Sequence, residues 1–160
     1  MALFGGTGYP TLIRVAEKVS SHRTELEVKR IDREEAEKER EVLVEIYGEG
    51  SWAEFFIASC DESGFDHYFA LDQGRPVSAA NLCSTERVGY LGWAATIGSH
   101  RGRGGQSALI AERIDRAGER GCRWVCAETL YMLETSLNNL KRFGFEILYE
   151  KKIFVWERKT

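Results

Sequence analysis

A glycine-rich segment in the second half of the chain has the composition of an anion-binding loop. It runs Arg101-Gly-Arg-Gly-Gly-Gln106, follows an apolar run that ends at Ile97, and opens a stretch with helical periodicity. The first N–H groups of a helix have no internal partner, and the aligned peptide dipoles add about half a positive charge there. Glycine lets phosphate oxygens approach the backbone. The segment therefore predicts a site that holds a pyrophosphate without a metal.

The loop does not match the two common nucleotide-binding motifs. Its glycine spacing is not Gly-x-Gly-x-x-Gly, no acidic ribose partner follows at the right place, and no Gly-Lys-Ser/Thr occurs. It also comes late in the chain, after an antiparallel run of strands, which a dinucleotide-binding fold would not contain. A Rossmann site and a Walker loop are therefore excluded.

The residues before these strands predict one strand and two helices. Leu26–Ile31 alternates apolar and charged residues, which is typical of a short strand. Asp32 and Glu35 have the spacing of a capping box, so a helix is expected to begin there and to end at Gly48. Trp52–Ala58 is predicted as a second, shorter helix.

The middle of the chain predicts a mixed sheet. Three successive strands are expected at Asp66–Leu71, Arg75–Ser84 and Arg87–Ile97. After the glycine-rich loop, a helix should run to about Arg120, and Trp124–Ala127 should form a strand buried on both faces. A strand, a helix and a further strand imply a right-handed crossover and a parallel pair. The predicted fold class is α/β, an antiparallel meander joined to a parallel strand pair.

The two ends of the chain complete this prediction. Thr11–Ser21 has apolar residues at helical spacing, so a helix is expected there. Thr135–Phe143 is predicted as another helix, stopped by Gly144. Phe145–Tyr149 and Ile153–Trp156 alternate well and are expected to form a closing hairpin.

Composition narrows the class of protein. The chain has 160 residues with a net charge of −3, which fits one domain at 26–160 preceded by an extension at 1–25, with a flexible start and one helix. The acidic balance argues against a nucleic-acid surface. No apolar run approaches the roughly 20 residues that span a bilayer, and no signal peptide is apparent. Four cysteines lack metal-site spacing. A cytoplasmic protein with reduced thiols, no metal and no membrane contact is expected.

Two segments resemble the GCN5-related N-acetyltransferase (GNAT) superfamily. Arg101-x-x-Gly104-x-Gln106 is similar to its Arg/Gln-x-x-Gly-x-Gly/Ala signature, except that Gln106 replaces the usual glycine or alanine. Ser136–Phe145 is similar to its last helix with the Gly-Phe ending, and the order of elements from 26 to 157 also matches. The resemblance implies a GNAT fold, splayed at the parallel pair, and transfer of an acetyl group from acetyl-CoA to a primary amine.

The resemblance also implies which residues hold the cofactor. The pantetheine arm of coenzyme A would pair with the backbone of Ala95, Thr96 and Ile97 like an added strand. Asn139 is also expected at the cofactor, and Arg103, Lys141 or Arg142 would reach the adenosine phosphate. The pyrophosphate would be held by backbone amides of the loop and the helix that follows, namely Arg101, Gly102, Arg103, Gly104, Gly105, Gln106 and Ser107.

Two proton transfers need side chains. A lysine-like amine with a pKa of about 10.4 is almost entirely protonated at pH 7, so a general base is required. Glu128 is the first candidate because it ends the strand beside the expected splay. The tyrosine that often protonates the leaving thiolate falls at Leu140, so Tyr131 is the candidate, with Asn139 or water as alternatives. Other bases left open are Glu86, Tyr90 and Glu134.

Rival functions remain at this stage. The missing tyrosine and the extension at 1–25 motivate a non-catalytic acyl-CoA sensor or partner domain. Cys83 or Cys126 as a nucleophile has no adjacent histidine to activate it. The Arg/Gly box would suit RNA, but it is one short box in an acidic domain. The acceptor, a small molecule or a peptide, stays unnamed, and a homodimer is a family expectation.

Overall fold

A computed structural model of the chain describes residues 8–19 and 24–152. Within these residues, seven strands form one sheet, and five α-helices pack against it. The strands are β1 Tyr9–Val15, β2 Glu27–Ile31, β3 Phe65–Asp72, β4 Arg75–Ser84, β5 Val88–Thr96, β6 Trp124–Glu128 and β7 Glu146–Lys151. The helices are α1 Arg33–Lys38, α2 Arg40–Tyr47, α3 Trp52–Ala58, α4 Gly105–Glu119 and α5 Glu134–Arg142. No described helix is long and apolar enough to cross a membrane.

The sheet has the order β2-β3-β4-β5-β6-β1-β7. Strands β2 to β5 form an antiparallel meander, and β5 runs parallel to β6 from Val88↔Trp124 to Leu91↔Ala127. Helix α4 makes the crossover between these two parallel strands. The predicted α/β class, with a meander joined to a parallel pair, is therefore confirmed.

The helices before the meander begin and end where their capping residues predict. Asp32 accepts a hydrogen bond from the amide of Glu35, and the Glu35 side chain returns to the amide of Asp32, so the capping box forms. The helix is interrupted once, at Glu39, which divides it into α1 and α2. Gly48 ends α2 with a φ of +83°, a conformation that favours glycine.

The helices cover opposite faces of the sheet. A Cβ built on Gly89 would lie 2.8 Å from the Cβ of Ala117, so this side of β5 faces α4. His67, on the other side of β3, lies edge-on to Phe56 of α3 with ring centroids 4.6 Å apart. Because side chains alternate along strands, α1 to α3 and α4 enclose the central strands between two layers.

The N-terminal helix predicted over Thr11–Ser21 is wrong. Residues Tyr9–Val15 form β1, which pairs antiparallel with β6 on one edge and with β7 on the other. The apolar residues of this segment fit the spacing of a helix and also that of a strand. The hydrogen bonds that its backbone makes to β6 and β7 outweigh the local helical pattern. Leu12 is completely buried. The chain from residue 9 to 15 is thus an inner strand of the sheet rather than a helical extension.

The predicted closing hairpin is described only in its first half. Strand β7 forms as expected and pairs with β1, but it continues through Glu150 and Lys151, where the turn was placed. Ile153–Trp156, the predicted second half, lies outside the described residues.

His67 is enclosed between β3 and α3. Its side chain is 1% exposed, and Nε2 lies 2.9 Å from the hydroxyl of Ser59. That hydroxyl donates to the Phe56 carbonyl at 2.9 Å, so Nε2 of His67 carries the hydrogen of the other bond. Burial lowers the pKa of His67 to about 4, although the nearby Asp66 favours its protonation.

Leu12→Ala tests the place of β1 in the sheet. We expect it to lower the free energy of unfolding by about 2–5 kcal/mol, because a buried side chain is replaced by a cavity. Val15→Ala is the matched control in the same strand, since Val15 is 42% exposed, and should cost about 1 kcal/mol or less. Urea denaturation measures both, and equal small losses would contradict an inner strand.

Replacing His67 tests its burial through pH. An unfolded histidine has a pKa of about 6.5, so the unfolded chain binds the proton more tightly than the folded one. The stabilisation is fully present above pH 6.5 and is lost as the pH falls towards 4. The wild type should lose free energy of unfolding between pH 7 and pH 5 because His67 must stay neutral in the fold. We expect His67→Gln to make this loss smaller by about 1–2 kcal/mol, measured by urea unfolding at each pH. An unchanged slope would show that His67 titrates normally.

Candidate functional site

The glycine-rich loop leads from β5 into the N-terminus of α4. A short 3₁₀ turn at Gly98–His100 is followed by two glycines with positive φ, Gly102 at +80° and Gly104 at +88°. Gly104 is the N-cap of α4, and no side chain caps this helix. The backbone conformation therefore requires glycine at both positions and leaves the first turn of the helix open.

Most amides of the loop and the first helical turn lack a protein partner. Arg101 and Arg103 make long turn bonds of 3.4 Å, to the carbonyls of Gly98 and His100. Within residues 8–19 and 24–152, no acceptor is found for five others, which are the amides of Gly102, Gly104, Gly105, Gln106 and Ser107. This is the array of donors that the sequence predicted for a pyrophosphate, without the two arginine amides.

Asp72 fixes the outer part of this loop from the end of β3. Its Oδ2 lies 3.1 Å from Nε2 of His100 and 2.6 Å from a guanidinium nitrogen of Arg103. The hydrogen bond from Arg103 holds the pKa of Asp72 below its usual range. The Arg103 side chain, a candidate for the adenosine phosphate, is thus engaged by Asp72, whereas Arg101 is exposed.

The base of the loop packs directly on the sheet. A Cβ built on Gly105 would lie 2.4 Å from Oγ of Ser78, which itself lies 2.8 Å from Oγ1 of Thr96. A side chain at Gly105 would therefore require the Ser78 hydroxyl to rotate away from Thr96 or the start of α4 to move away from the sheet. Close approach of the helix to the sheet depends on this glycine.

Among residues 8–19 and 24–152, no strand pairs with the edge of β5 beside the loop, which we call its free edge. Its pairing with β6 ends at Leu91↔Ala127, although β5 continues to Thr96. Ile97 donates its amide to Val77 of β4 at 3.0 Å, so the peptide groups of Thr96 point to the other edge, away from β4. The predicted pantetheine strand, Ala95 to Ile97, thus offers the free backbone edge that an added strand needs.

A β-bulge interrupts β5 just beyond its last pair with β6, where we place the gap between the two strands. Ala79 pairs with Ala95 but Asn81 pairs with Gly92, so β5 has one residue more than β4 between these pairs. Trp93 lies in this bulge with a φ of +40°, which is strained for a non-glycine residue. A bulge bends the strand that carries it, and this one lies where the predicted splay would begin.

A buried side chain and a partly buried one hold the bulge in place. Arg113 of α4 is 1% exposed and donates to the carbonyls of Asn81 at 2.9 Å and Gly92 at 3.0 Å. Its burial lowers its pKa to about 10. The Tyr47 hydroxyl donates to the Trp93 carbonyl at 2.6 Å. Neither residue is predicted from the sequence, because nothing in the local pattern around either one indicates a partner on the bulge.

Glu128, the candidate base, lies at the mouth of the gap. It follows Ala127, where the pairing with β5 ends, and its side chain is 23% exposed. Its Oε1 accepts hydrogen bonds from the hydroxyl of Thr11 in β1 at 3.1 Å and from the ammonium of Lys151 in β7. A base at this position must exchange Lys151 for the substrate amine or share it.

Tyr131, the candidate acid, is held elsewhere. Its hydroxyl donates to Glu150, and this hydrogen bond raises its pKa. Glu150 and Lys151 are neighbours in β7, so their side chains point to opposite faces of the sheet. Glu128 and Tyr131 are therefore not brought together, and the pairing of the two as base and acid stays a prediction.

Asn139 and Gln106 bind each other. The Asn139 amide donates to Oε1 of Gln106 at 2.5 Å, and the Gln106 amide donates to the hydroxyl of Ser136 at 3.0 Å. These bonds join α4 to α5 and turn the unusual Gln106 away from the phosphate loop. Arg142 also donates to Asn139, and Leu140 is 4% exposed, within the core.

The other candidates are spread around the site. Tyr90 lies beside Glu128 on the same face, and burial, more than the Glu128 charge, raises its pKa. Glu86 lies in the turn before β5, at the far end of the strand from the gap, and Glu134 is exposed at the start of α5. Burial raises the pKa of the thiols of Cys83 and Cys126, which disfavours either as a nucleophile.

Comparisons with known proteins support the fold and little more. No family model matches the chain, and no curated protein matches its sequence. Solved structures do match. A GCN5-related N-acetyltransferase from Sphaerobacter thermophilus is 18% identical with a TM-score of 0.74, covering 96% of this chain and 54% of that one. The corresponding enzyme from Kribbella flavida is 15% identical with a TM-score of 0.65, covering 92% and 57%.

A third match has nearly the length of this chain. It is an aminoglycoside acetyltransferase from an uncultured soil metagenomic sample, in complex with sisomicin, at 14% identity and a TM-score of 0.62. It covers 84% of this chain and 96% of that one. This chain spans little more than half of the Sphaerobacter and Kribbella proteins. The chain therefore has the fold of the GCN5-related N-acetyltransferases, as the sequence motifs indicated.

Gly105→Ala tests the close approach of α4 to the sheet. The added Cβ would meet Ser78 Oγ, so we expect a loss of about 1–3 kcal/mol in the free energy of unfolding. Gly98→Ala in the same loop is the control, because a Cβ there meets nothing within 4 Å, and its cost should stay within about 0.5 kcal/mol. Chemical denaturation compares the two, and a neutral Gly105→Ala would mean that the helix can move freely.

Proposed function

We propose that the chain is an N-acetyltransferase that moves an acetyl group from acetyl-CoA to a primary amine by direct attack. The observation that carries the proposal is the group of amides without a partner in the described residues, Gly102 and Gly104–Ser107, directly beside the free edge of β5. A molecule with a diphosphate and an extended, amide-containing arm fits both features at once. Coenzyme A has this chemistry.

The chain's own groups divide the binding between them. The open amides of the first helical turn would hold the pyrophosphate, each charge-assisted hydrogen bond contributing about 1.5–3 kcal/mol. The outward peptide groups of Thr96 would pair with the amides of the pantetheine arm. The bulge at Trp93 would keep β5 and β6 apart where the reacting group lies.

Bound acetyl-CoA would supply the activated thioester, and the protein would position the amine and move its protons. Glu128 would accept the amine proton, directly or through water, at the mouth of the gap. Backbone N–H groups on the free edge of β5 would stabilise the developing oxyanion. No covalent intermediate on the protein is needed. The group that protonates the leaving thiolate would be Tyr131, Asn139 or water. Tyr131 would first have to leave Glu150, and Asn139 would first have to leave Gln106.

A second candidate is a sensor that binds acyl-CoA without turning it over. The burial of Leu140 at the expected tyrosine position and the ion pair between Glu128 and Lys151 favour it. It shares the cofactor site with the first candidate and differs only in chemistry. Binding and turnover must therefore be measured separately.

Thermal denaturation with coenzyme A tests the site itself. At 100 times its dissociation constant a ligand stabilises the folded state by about 2.7 kcal/mol, so we expect the melting temperature to rise by about 5 °C or more. Both proposed functions require this rise. Its absence with acetyl-CoA, free coenzyme A and longer acyl derivatives would reject both.

Acetyl transfer to a panel of amines then separates enzyme from sensor. We expect turnover by the wild type and a fall of about 100-fold or more in kcat for Glu128→Gln, because a positioned base contributes about 10²- to 10⁴-fold. Glu86→Gln, at the far end of β5, is the matched control and should keep its rate. Both variants should retain the thermal shift. Full activity of Glu128→Gln would remove Glu128 from the mechanism, and no turnover at all would favour the sensor.

A further inference from the structure

A cavity opens beside the bulge on the face covered by α1 to α3. It has a volume of about 220 Å³ and is lined by Tyr47, Trp52, Trp93, Ala94 and Ala95. None of these five side chains carries a charge at neutral pH. The cavity is an apolar pocket walled largely by aromatic rings.

Two aromatic residues at the pocket are more exposed than a packed core would require: Trp52, which lines the cavity, and Phe55, which packs on the lining residue Trp93. Trp52 and Phe55 of α3 are each 54% exposed. Both lie edge-on to Trp93, with ring centroids 6.0 Å and 4.4 Å away. Aromatic rings grouped at the surface around a cavity are typical of small-molecule sites.

The strain at Trp93 is an independent sign of function. A non-glycine residue at a φ of +40° costs about 1–3 kcal/mol unless its surroundings enforce it. The hydroxyl of Tyr47, a wall of the same pocket, holds the Trp93 carbonyl in this conformation. The pocket and the strained bulge are thus built by the same two residues.

The pocket adjoins the reacting end of the proposed cofactor site. Ala94 and Ala95 belong to the part of β5 that lies beyond Leu91, where pairing with β6 has ended. Glu128 shares a sheet face with Tyr90 and Gly92, which is also the face of the pocket. An amine whose side group fills the pocket would approach the gap from the same face as the base.

We propose that this pocket binds the apolar or aromatic side group of the acceptor, so that the chain acetylates hydrophobic primary amines rather than polycations. The inference rests on the proposed transferase function and names its substrate class. A cavity of about 150 Å³ already holds benzene in another protein, so a phenyl ring or a short alkyl chain fits in 220 Å³. The alternative occupant, a long acyl group of the donor, is separated by the test.

The test is a ladder of n-alkylamines from ethylamine to hexylamine, with 2-phenylethylamine and spermidine, at saturating acetyl-CoA. The alkylamines have nearly the same ammonium pKa, so differences along the ladder report binding. We expect KM to fall about 2- to 4-fold per added methylene, with spermidine poorer than hexylamine. Quenching of tryptophan fluorescence by hexylamine, in the presence of coenzyme A, gives a binding readout that does not depend on turnover.

Trp52→Ala and Phe55→Ala should flatten the ladder and weaken hexylamine and 2-phenylethylamine by about 10-fold, with ethylamine little changed. Both residues are half-exposed, so their loss should leave the fold intact. Leu148→Ala is the matched control, because it removes an apolar side chain that is 56% exposed on β7, and it should keep the full ladder.

Four results would overturn the assignment. The first is a KM that does not change with alkylamine length in the wild type, and the second is a lower KM for spermidine than for hexylamine. The third is the same dependence of KM on amine length in Trp52→Ala as in Leu148→Ala. The fourth is that Trp52→Ala changes the preference for the length of the acyl donor instead of the preference for the amine. The last result would place the acyl group in the pocket. If coenzyme A gives no thermal shift, the proposed function fails first and this inference with it, whereas a normal shift with a flat ladder rejects the pocket alone.

Discussion

The rest of the site depends on the hydrogen bonds that the buried guanidinium of Arg113 donates to backbone carbonyls. This guanidinium pairs with backbone carbonyls of Asn81 and Gly92 and with the Leu109 carbonyl of its own helix, and no carboxylate forms an ion pair with it in the described part of the chain. Removing a charge from water is costly unless several hydrogen bonds replace the lost hydration. The Asn81 and Gly92 carbonyls flank the bulge in β5. The same hydrogen bonds therefore satisfy the buried charge and hold the bulge in its conformation.

Helix α4 connects this arrangement to the anion loop. Gly105 and Arg113 are eight residues apart in one helix, a rise of about 12 Å. The open amides and the bulge are therefore set at a fixed separation by a rigid element. Near the other end, Arg116 and Arg120 bind Asp66 of β3, which is 5% exposed. The open amides at the N-terminus of α4 and the bulge in β5 are held together because the same helix contributes to both.

The sequence predicted the elements that local chemistry specifies and missed those that tertiary pairing decides. The capping box at Asp32 and the loop glycines are recognisable because each residue type serves a local backbone conformation. The strand at Tyr9–Val15 was predicted as a helix because its apolar spacing fits both periods, and only the two neighbouring strands select one. Arg113 and Asp72 act through partners about 30 residues away in sequence, so no short pattern could reveal them.

The position of β1 inside the sheet also determines the surroundings of Glu128, the proposed base. Strand β1, which the sequence predicts as a helical extension, carries Thr11, whose hydroxyl donates to Glu128. Strand β7 pairs with the edge of β1 that faces away from β6, and it carries Lys151, whose ammonium also donates to Glu128. One carboxylate oxygen, Oε1 of Glu128, thus accepts hydrogen bonds from both an alcohol and an ammonium. In the proposed reaction, Lys151 occupies the position that the ammonium of the acceptor would take, so an arriving amine would have to displace Lys151 from Glu128.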